Sequence, residues 1–179
     1  MKVFSKNILE NGYVGDEFGQ NSKDSSSYFN GKVVKSIHVG WKDVPSNAKT
    51  LAIFCIDFDS IPVCGFPFLH WAIANIDPSW NELKENASFE LKDKLIQGQN
   101  STCSPFFNEE KKIKVSEDTA LFIGCGPPDK DHTYTLNLYA VNKFLNLKNG
   151  FFVNDLIKEL KGNIVDKATL NFNYRKIDE

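Results

Sequence analysis

Apolar and polar residues alternate with a period near two over several stretches, the pattern of half-buried strands. "KVVKSIHVGW" (residues 32–41) is β-branched and roughly alternating, and "KDVPSNAK" after it has turn composition. "TLAIFCIDFD" (50–59) and "PFLHWAIANI" (67–76) predict two more strands, the second ended by Asp77-Pro78, because proline cannot donate to a ladder. "TALFIGC" (119–125) predicts a short apolar strand, "GPPDKD" a rigid loop, and "HTYTLNLYAV" (132–141) a long strand rich in Thr, Tyr and Val. One helix stands out. In "NGFFVNDLIKELKG", Phe152, Val153, Leu156, Ile157 and Leu160 recur at helical spacing, and Gly162 is placed to end the helix in a left-handed conformation. "ATLNFNYR" (168–175) predicts a closing strand.

Two segments lack this regularity. Residues 1–30, with "GYVGDEFGQNSKDSSSYFNG", predict an irregular arm laid over the domain. Residues 79–119 are mostly polar, and only "FELKDKLI" (89–96) predicts a helical turn or two. Many strands with one late helix imply a mainly β, antiparallel fold rather than alternating βα units. Neither GxGxxG nor GxxxxGK occurs, so no phosphate-loop or dinucleotide cofactor is expected.

The 179 residues, 41% of them hydrophobic, suit a single domain spanning 1–179. A net charge of −2, with both signs mixed along the chain, gives no field to gather nucleic acid. No run approaches the roughly 18 apolar residues of a membrane span, and the start has no signal-peptide pattern, so a cytoplasmic location is expected. Cys55, Cys64, Cys103 and Cys125 form no CxxC pair and no Cys/His metal spacing. Free, mostly buried thiols and no metal follow.

Candidate chemistry begins with "GFPFLHWAIANI", where His70 sits inside a greasy stretch. A buried imidazole needs partners for its ring nitrogens, so a polar group elsewhere must converge on it. A strict period of two puts Phe68, His70, Ala72 and Ala74 on one face of their strand, with Trp71 and Ile73 opposite. The same rule groups His132, Tyr134, Leu136 and Leu138. Asp57, at the end of an apolar strand, is the expected acceptor for the His70 N–H, with Asp59 capping the strand end or bonding loop amides. In "GCGPPDKD" two prolines stiffen the loop, while Gly124 and Gly126 leave backbone N–H groups open to a ligand.

These segments resemble the signatures of the phosphatidylethanolamine-binding proteins, also called Raf-kinase-inhibitor-like proteins. "DFDSIPVCGFPFLHWAIANI" is similar to the first signature, D-P-D-x-P followed by H-W, and "GPPDKDHTYTLNLYAV" to the second, G-P-P-x-G-x-H-R-Y-x-F. The helix-then-strand ending resembles the bacterial members, and the likeness covers roughly residues 36–175. It implies a Greek-key β-sandwich with a C-terminal helix and a small anion pocket at one end. By motif position the pocket residues are Asp57, Pro62, His70, Gly126, Pro127, Pro128, His132 and Tyr134. Phe58 replaces a motif proline, Ser60-Ile61 lengthens the spacing to Pro62, Thr133 replaces an arginine, and Asn163 stands where bacterial members often carry histidine.

The expected function is non-catalytic binding of phosphate, phosphorylated head groups or similar anions, with imidazoles made partly cationic by Asp57 as donors. Two rivals stay open. One is a small hydrolase in which Asp57 and His70 activate water or Cys125. The other is a regulator of proteases or kinases, which the family includes. Sheet edges and the arm also offer surfaces for a homodimer.

Overall fold

The computed structural model describes residues 1–178. Its strands are β1 (Lys2–Phe4), β2 (Tyr28–Phe29), β3 (Lys32–Val33), β4 (Val39–Lys42), β5 (Thr50–Asp57), β6 (Phe68–Ile76), β7 (Glu82–Leu83), β8 (Ile96–Gln97), β9 (His132–Val141) and β10 (Ile164–Tyr174). Three short helices, α1 (Ile61–Cys64), α2 (Ala87–Glu90) and α3 (Val153–Leu160), lie between them. Five strands form one antiparallel sheet in the order β10-β9-β5-β6-β8, and β1-β4-β7 form a smaller one. Within the large sheet the chain runs β5, β6, β8, and then β9 returns to lie beside β5. That is the 4-1-2-3 order of a Greek key.

The large sheet is covered on both faces. Between the two sheets, Trp41, Leu51, Ile53, Trp71, Ile73, Leu136 and Leu138 form the main core. On the outer face, α3 buries Leu156 and Leu160 against Ala52, Ala72, Ala74 and Tyr139. This double burial explains why β5 reads as a nearly continuous apolar run. The alternation expected for β9 holds, with Tyr134, Leu136 and Leu138 in the main core. Helix α3 occupies the expected residues, and Gly162 beyond its end has φ +76°.

Three expectations need correction. Residues 32–41 are not one strand: β3 pairs with β2 and β4 with the small sheet, and the residues between change partners. The segment 119–125 makes no ladder. It opens with a 3-10 turn at Asp118–Ala120 and then runs extended, bonding single residues of three neighbours: Ile123 N–H to His70, Gly124 N–H to Val33 and Cys125 N–H to Phe18. The arm contains short regular pieces. β1 pairs with β4, and Asn30-Gly31, both at positive φ, close the β2–β3 hairpin.

The most consequential difference is a bulge in β6. Cys55 faces Trp71 while Ile56 faces Leu69, so His70 is the extra residue. The bulge shifts the side-chain phase: His70 and Trp71 both turn toward Phe122, instead of facing opposite layers. Strict alternation therefore misplaces Trp71 and Ile73 relative to His70.

Ile53 is fully buried on the central strand, whereas Ile157 on α3 is exposed. Ile53→Ala is expected to cost about 3 kcal/mol by urea denaturation, and Ile157→Ala less than about 0.5 kcal/mol.

Candidate functional site

The ends of β5, β6 and β9 meet at one edge of the large sheet. The register places Asp57 opposite both Phe68 and Tyr134, so three strands deliver their chemistry to one row. Beyond that row lies a cavity of about 310 Å³. Asp57, His70, Gly126, Pro127, Pro128, His132 and Tyr134 line it, so those sequence-derived residues converge. Pro62 does not. It occupies the first turn of α1 with its side chain outward, while its neighbours Ser60, Val63 and Cys64 face the cavity.

The hydrogen bonding differs from the expected pairing of Asp57 with His70. The His70 ring donates Nδ1–H to the Ile123 carbonyl at 2.8 Å, since a carbonyl can only accept. This leaves Nε2 as a bare acceptor with no partner among the described residues. Burial drives the His70 pKa down to about 4, only partly offset by the Ile123 carbonyl and Asp57, so the ring is neutral at pH 7.

Asp57 bonds His132 instead. Its Oδ2 accepts from His132 Nδ1 at 2.8 Å, and its Oδ1 accepts from the Ser60 amide at 3.2 Å. His132 Nε2 faces a second carboxylate, Asp129 Oδ1, also at 2.8 Å. Burial opposes charge on this ring, but the bonds to Asp57 and Asp129 outweigh it and raise the His132 pKa above its ordinary value. Each ring nitrogen shares a proton with a carboxylate oxygen, so the ring and its two carboxylates together form a group of net single negative charge. The ring in turn holds the Asp129 carboxyl below its usual range.

Tyr134 supplies the remaining polar group of the floor. Its hydroxyl is fully buried and has no hydrogen-bond partner. The Gly126 amide and the Cys125 thiol are its polar neighbours, neither in full bonding geometry, and burial, foremost, pushes its pKa up, so it stays a protonated donor. Gly124 does not offer its amide to the cavity, because that N–H bonds Val33 at 2.8 Å. Its small size has another cause, since an added Cβ would lie 2.9 Å from the Val33 side chain. Asp59 accepts a backbone amide, as expected, but from Thr133 of β9 rather than from a loop, at 2.9 Å.

Several lining residues were not singled out from sequence. Lys32 reaches the cavity from β3, but its ammonium is bound to Asp118 at 2.6 Å. Phe106 and Phe107, from a 3-10 turn in the polar stretch 79–119, form a wall with Phe68, the Phe68 and Phe107 ring centroids lying 5.4 Å apart. Ser60 closes the β5-to-β6 connection, its one hydroxyl hydrogen shared between the Asp57 and Phe66 carbonyls and its oxygen accepting from the Phe68 amide. The "SxxxxxxxF" spacing carries no recognisable signal for this. The thiol of Cys125 is fully buried, outside the cavity lining, and its pKa is pushed well up by burial, so it is not a nucleophile. All four cysteines are free.

The second-signature loop is fastened from both sides of the sequence. Gln20 N–H donates to the Cys125 carbonyl, Ile177 N–H to the Pro127 carbonyl, and Asp131 accepts from Tyr13 and from the Lys176 amide. Gly19 permits the approach, for a Cβ there would fall 2.4 Å from the Cys125 carbonyl oxygen.

Fold and site together define a Greek-key sandwich with an end pocket, the architecture of a binding protein. The chain belongs to the phosphatidylethanolamine-binding protein family, whose model matches residues 4–175. It is 41% identical over 163 residues to the uncharacterized protein YxkA of Bacillus subtilis, covering 91% of this chain and 94% of that one. A UPF0098 protein of Methanothermobacter thermautotrophicus is 30% identical over 140 residues, covering 77% and 81%. Among solved structures, the homologue CT736 of Chlamydia trachomatis superposes with a TM-score of 0.76 at 21% identity, covering 98% of this chain and 97% of that one. YbcL of Escherichia coli gives 0.73 at 20% identity, covering 99% and 98%. No helix among the described residues is long and apolar enough to cross a membrane.

Because the fold lowers the His70 pKa from 6.5 to about 4, the folded state binds fewer protons than the unfolded chain between those values, and stability falls as pH drops through that window. The His70 contribution lost between pH 7 and pH 4 amounts to about 3 kcal/mol. Urea denaturation at both pH values is expected to show a correspondingly smaller acid loss in His70→Gln, and ring NMR of the wild type an unprotonated His70 at pH 5.5.

Proposed function

We propose that the protein is a non-catalytic binding domain whose end pocket holds a small oxyanion, phosphate or the phosphorylated head group of a larger ligand. The observation that carries this reading is the Tyr134 hydroxyl, buried at the pocket floor without a partner. A buried donor left unpaired costs about 1–3 kcal/mol, and a ligand oxygen that accepts from it recovers that cost. His70 Nε2 beside it is a second unused polar atom, its ring 5.0 Å from the Tyr134 ring. The Phe68, Phe106 and Phe107 wall receives whatever apolar group the head group carries.

A catalytic role has little support in this geometry. His132 has both nitrogens engaged, and the Cys125 thiol, next to the Tyr134 hydroxyl, is fully buried with its pKa pushed well up. Binding needs only fixed donors and acceptors, and the site has those.

Titration of phosphoethanolamine into the protein at pH 5.5, followed by calorimetry and amide NMR, is expected to shift residues 124–134 and saturate. Tyr134→Phe should weaken binding about 10-fold, the worth of one charge-assisted hydrogen bond. An absence of binding at millimolar ligand between pH 5.5 and 7.5 would overturn the reading.

A further inference from the structure

The pocket belongs to a class usually expected to offer positive charge, yet its charged groups are already committed. Facing the space between His70 and Tyr134 are Asp57 from β5, His132 from β9 and Lys32 from β3, with Asp129 behind His132 and Asp118 behind Lys32. His132 is held by two carboxylates and Lys32 by one. Cys64 directs its thiol to the carbonyls of Ser60 and Phe66. Thr133 stands where the family signature carries arginine, and its hydroxyl bonds Asn173. What remains at the floor for a ligand is one donor, the Tyr134 hydroxyl, and one acceptor, His70 Nε2, while the exposed carboxamide of Gln20 adds a neutral group that can donate or accept.

We propose that the pocket selects oxyanions by protonation state, taking a phosphate or phosphonate monoester as the monoanion, with Asp129 the residue that excludes the dianion. The ligand's own P–OH donates to His70 Nε2, and one of its P–O oxygens accepts from Tyr134. A dianion has no proton for His70 and meets the net negative Asp57–His132–Asp129 group across the cavity. Asp129 is a specificity determinant because Asp57 is buried and structural, whereas Asp129 sits exposed on the loop at the far nitrogen of the same ring. The neutrality of His70 at ordinary pH agrees with this assignment.

This inference rests on the oxyanion reading, and the experiment separates the two. Methyl phosphate, whose second ionisation lies near pH 6, and dimethyl phosphate, a monoanion with no proton to give, are titrated into the wild type, Asp129→Asn and Asp129→Ala between pH 5 and 8. The expected wild-type result is methyl phosphate affinity falling about 10-fold per unit above pH 6, with dimethyl phosphate at least about 10-fold weaker than methyl phosphate at pH 5. In both Asp129 variants the dianion should gain about 10-fold and the profile should flatten. Wild-type affinity independent of pH, equal binding of the two esters at pH 5, or an unchanged profile in both variants overturns the selectivity while leaving the oxyanion reading intact. No binding of either ester at any pH, in any variant, overturns both.

Discussion

The buried hydrogen bond between Asp57 and His132 ties the middle of the large sheet to the pocket. Both side chains are almost wholly removed from water, so the loss of either would leave the other buried without its partner. The pair joins the last residue of β5 to the first of β9, adjacent strands whose register runs unbroken from Thr50–Val141 to Asp57–Tyr134. A slip of one residue along that ladder would send Tyr134 to the α3 side and leave a carboxylate buried without a partner. Sheet register and pocket chemistry are therefore fixed by the same constraint.

The floor and the walls of the pocket differ in kind. The floor is made of strand ends with apolar packing on both faces of the sheet, including the stacked rings of Tyr134 and Phe172 at 5.3 Å. The walls come from connections: α1, the turn at Pro105–Phe107 and the loop after Gly126. Such a division keeps Tyr134 and His70 at fixed separation while the apolar surround can differ in composition. Lys32 shows the cost of a cation in this setting, for it reaches the cavity only with Asp118 beside it.

Most strands were legible because β5, β6 and β9 are long, β-branched and bounded by turn residues. The convergence of Asp57, His70, His132 and Tyr134 was legible from motif likeness, but their bonding was not. His70 finds its partner in a backbone carbonyl of the 121–125 segment, and every residue type carries such a carbonyl, so no side-chain pattern announces it. The β6 bulge is equally silent, since an extra residue leaves no mark in "FLHWAIANI" yet reverses which layer Trp71 and Ile73 face. Phe106 and Phe107 were hidden by the polar residues around them. The Asn30-Gly31 hairpin, by contrast, was present in the letters and masked by the Ser- and Gly-rich arm.

The fastening of the Pro127–Asp131 loop bears on how the molecule comes together during synthesis. Tyr13 reaches Asp131 across 118 residues of chain, and the Lys176 amide closes on the same carboxylate from the other direction. Asp16 and Asn21 in turn grip Arg175, Lys176 and Asp178. A nascent polypeptide that has emerged only as far as β9 already holds the histidines, the tyrosine and the Tyr13 and Gln20 fastenings, but lacks the bonds from Lys176 and Ile177. Residues 174–178 thus complete the rim by closing a separation of 157 residues between Asn21 and Asp178, at an entropic cost that grows only slowly with that length.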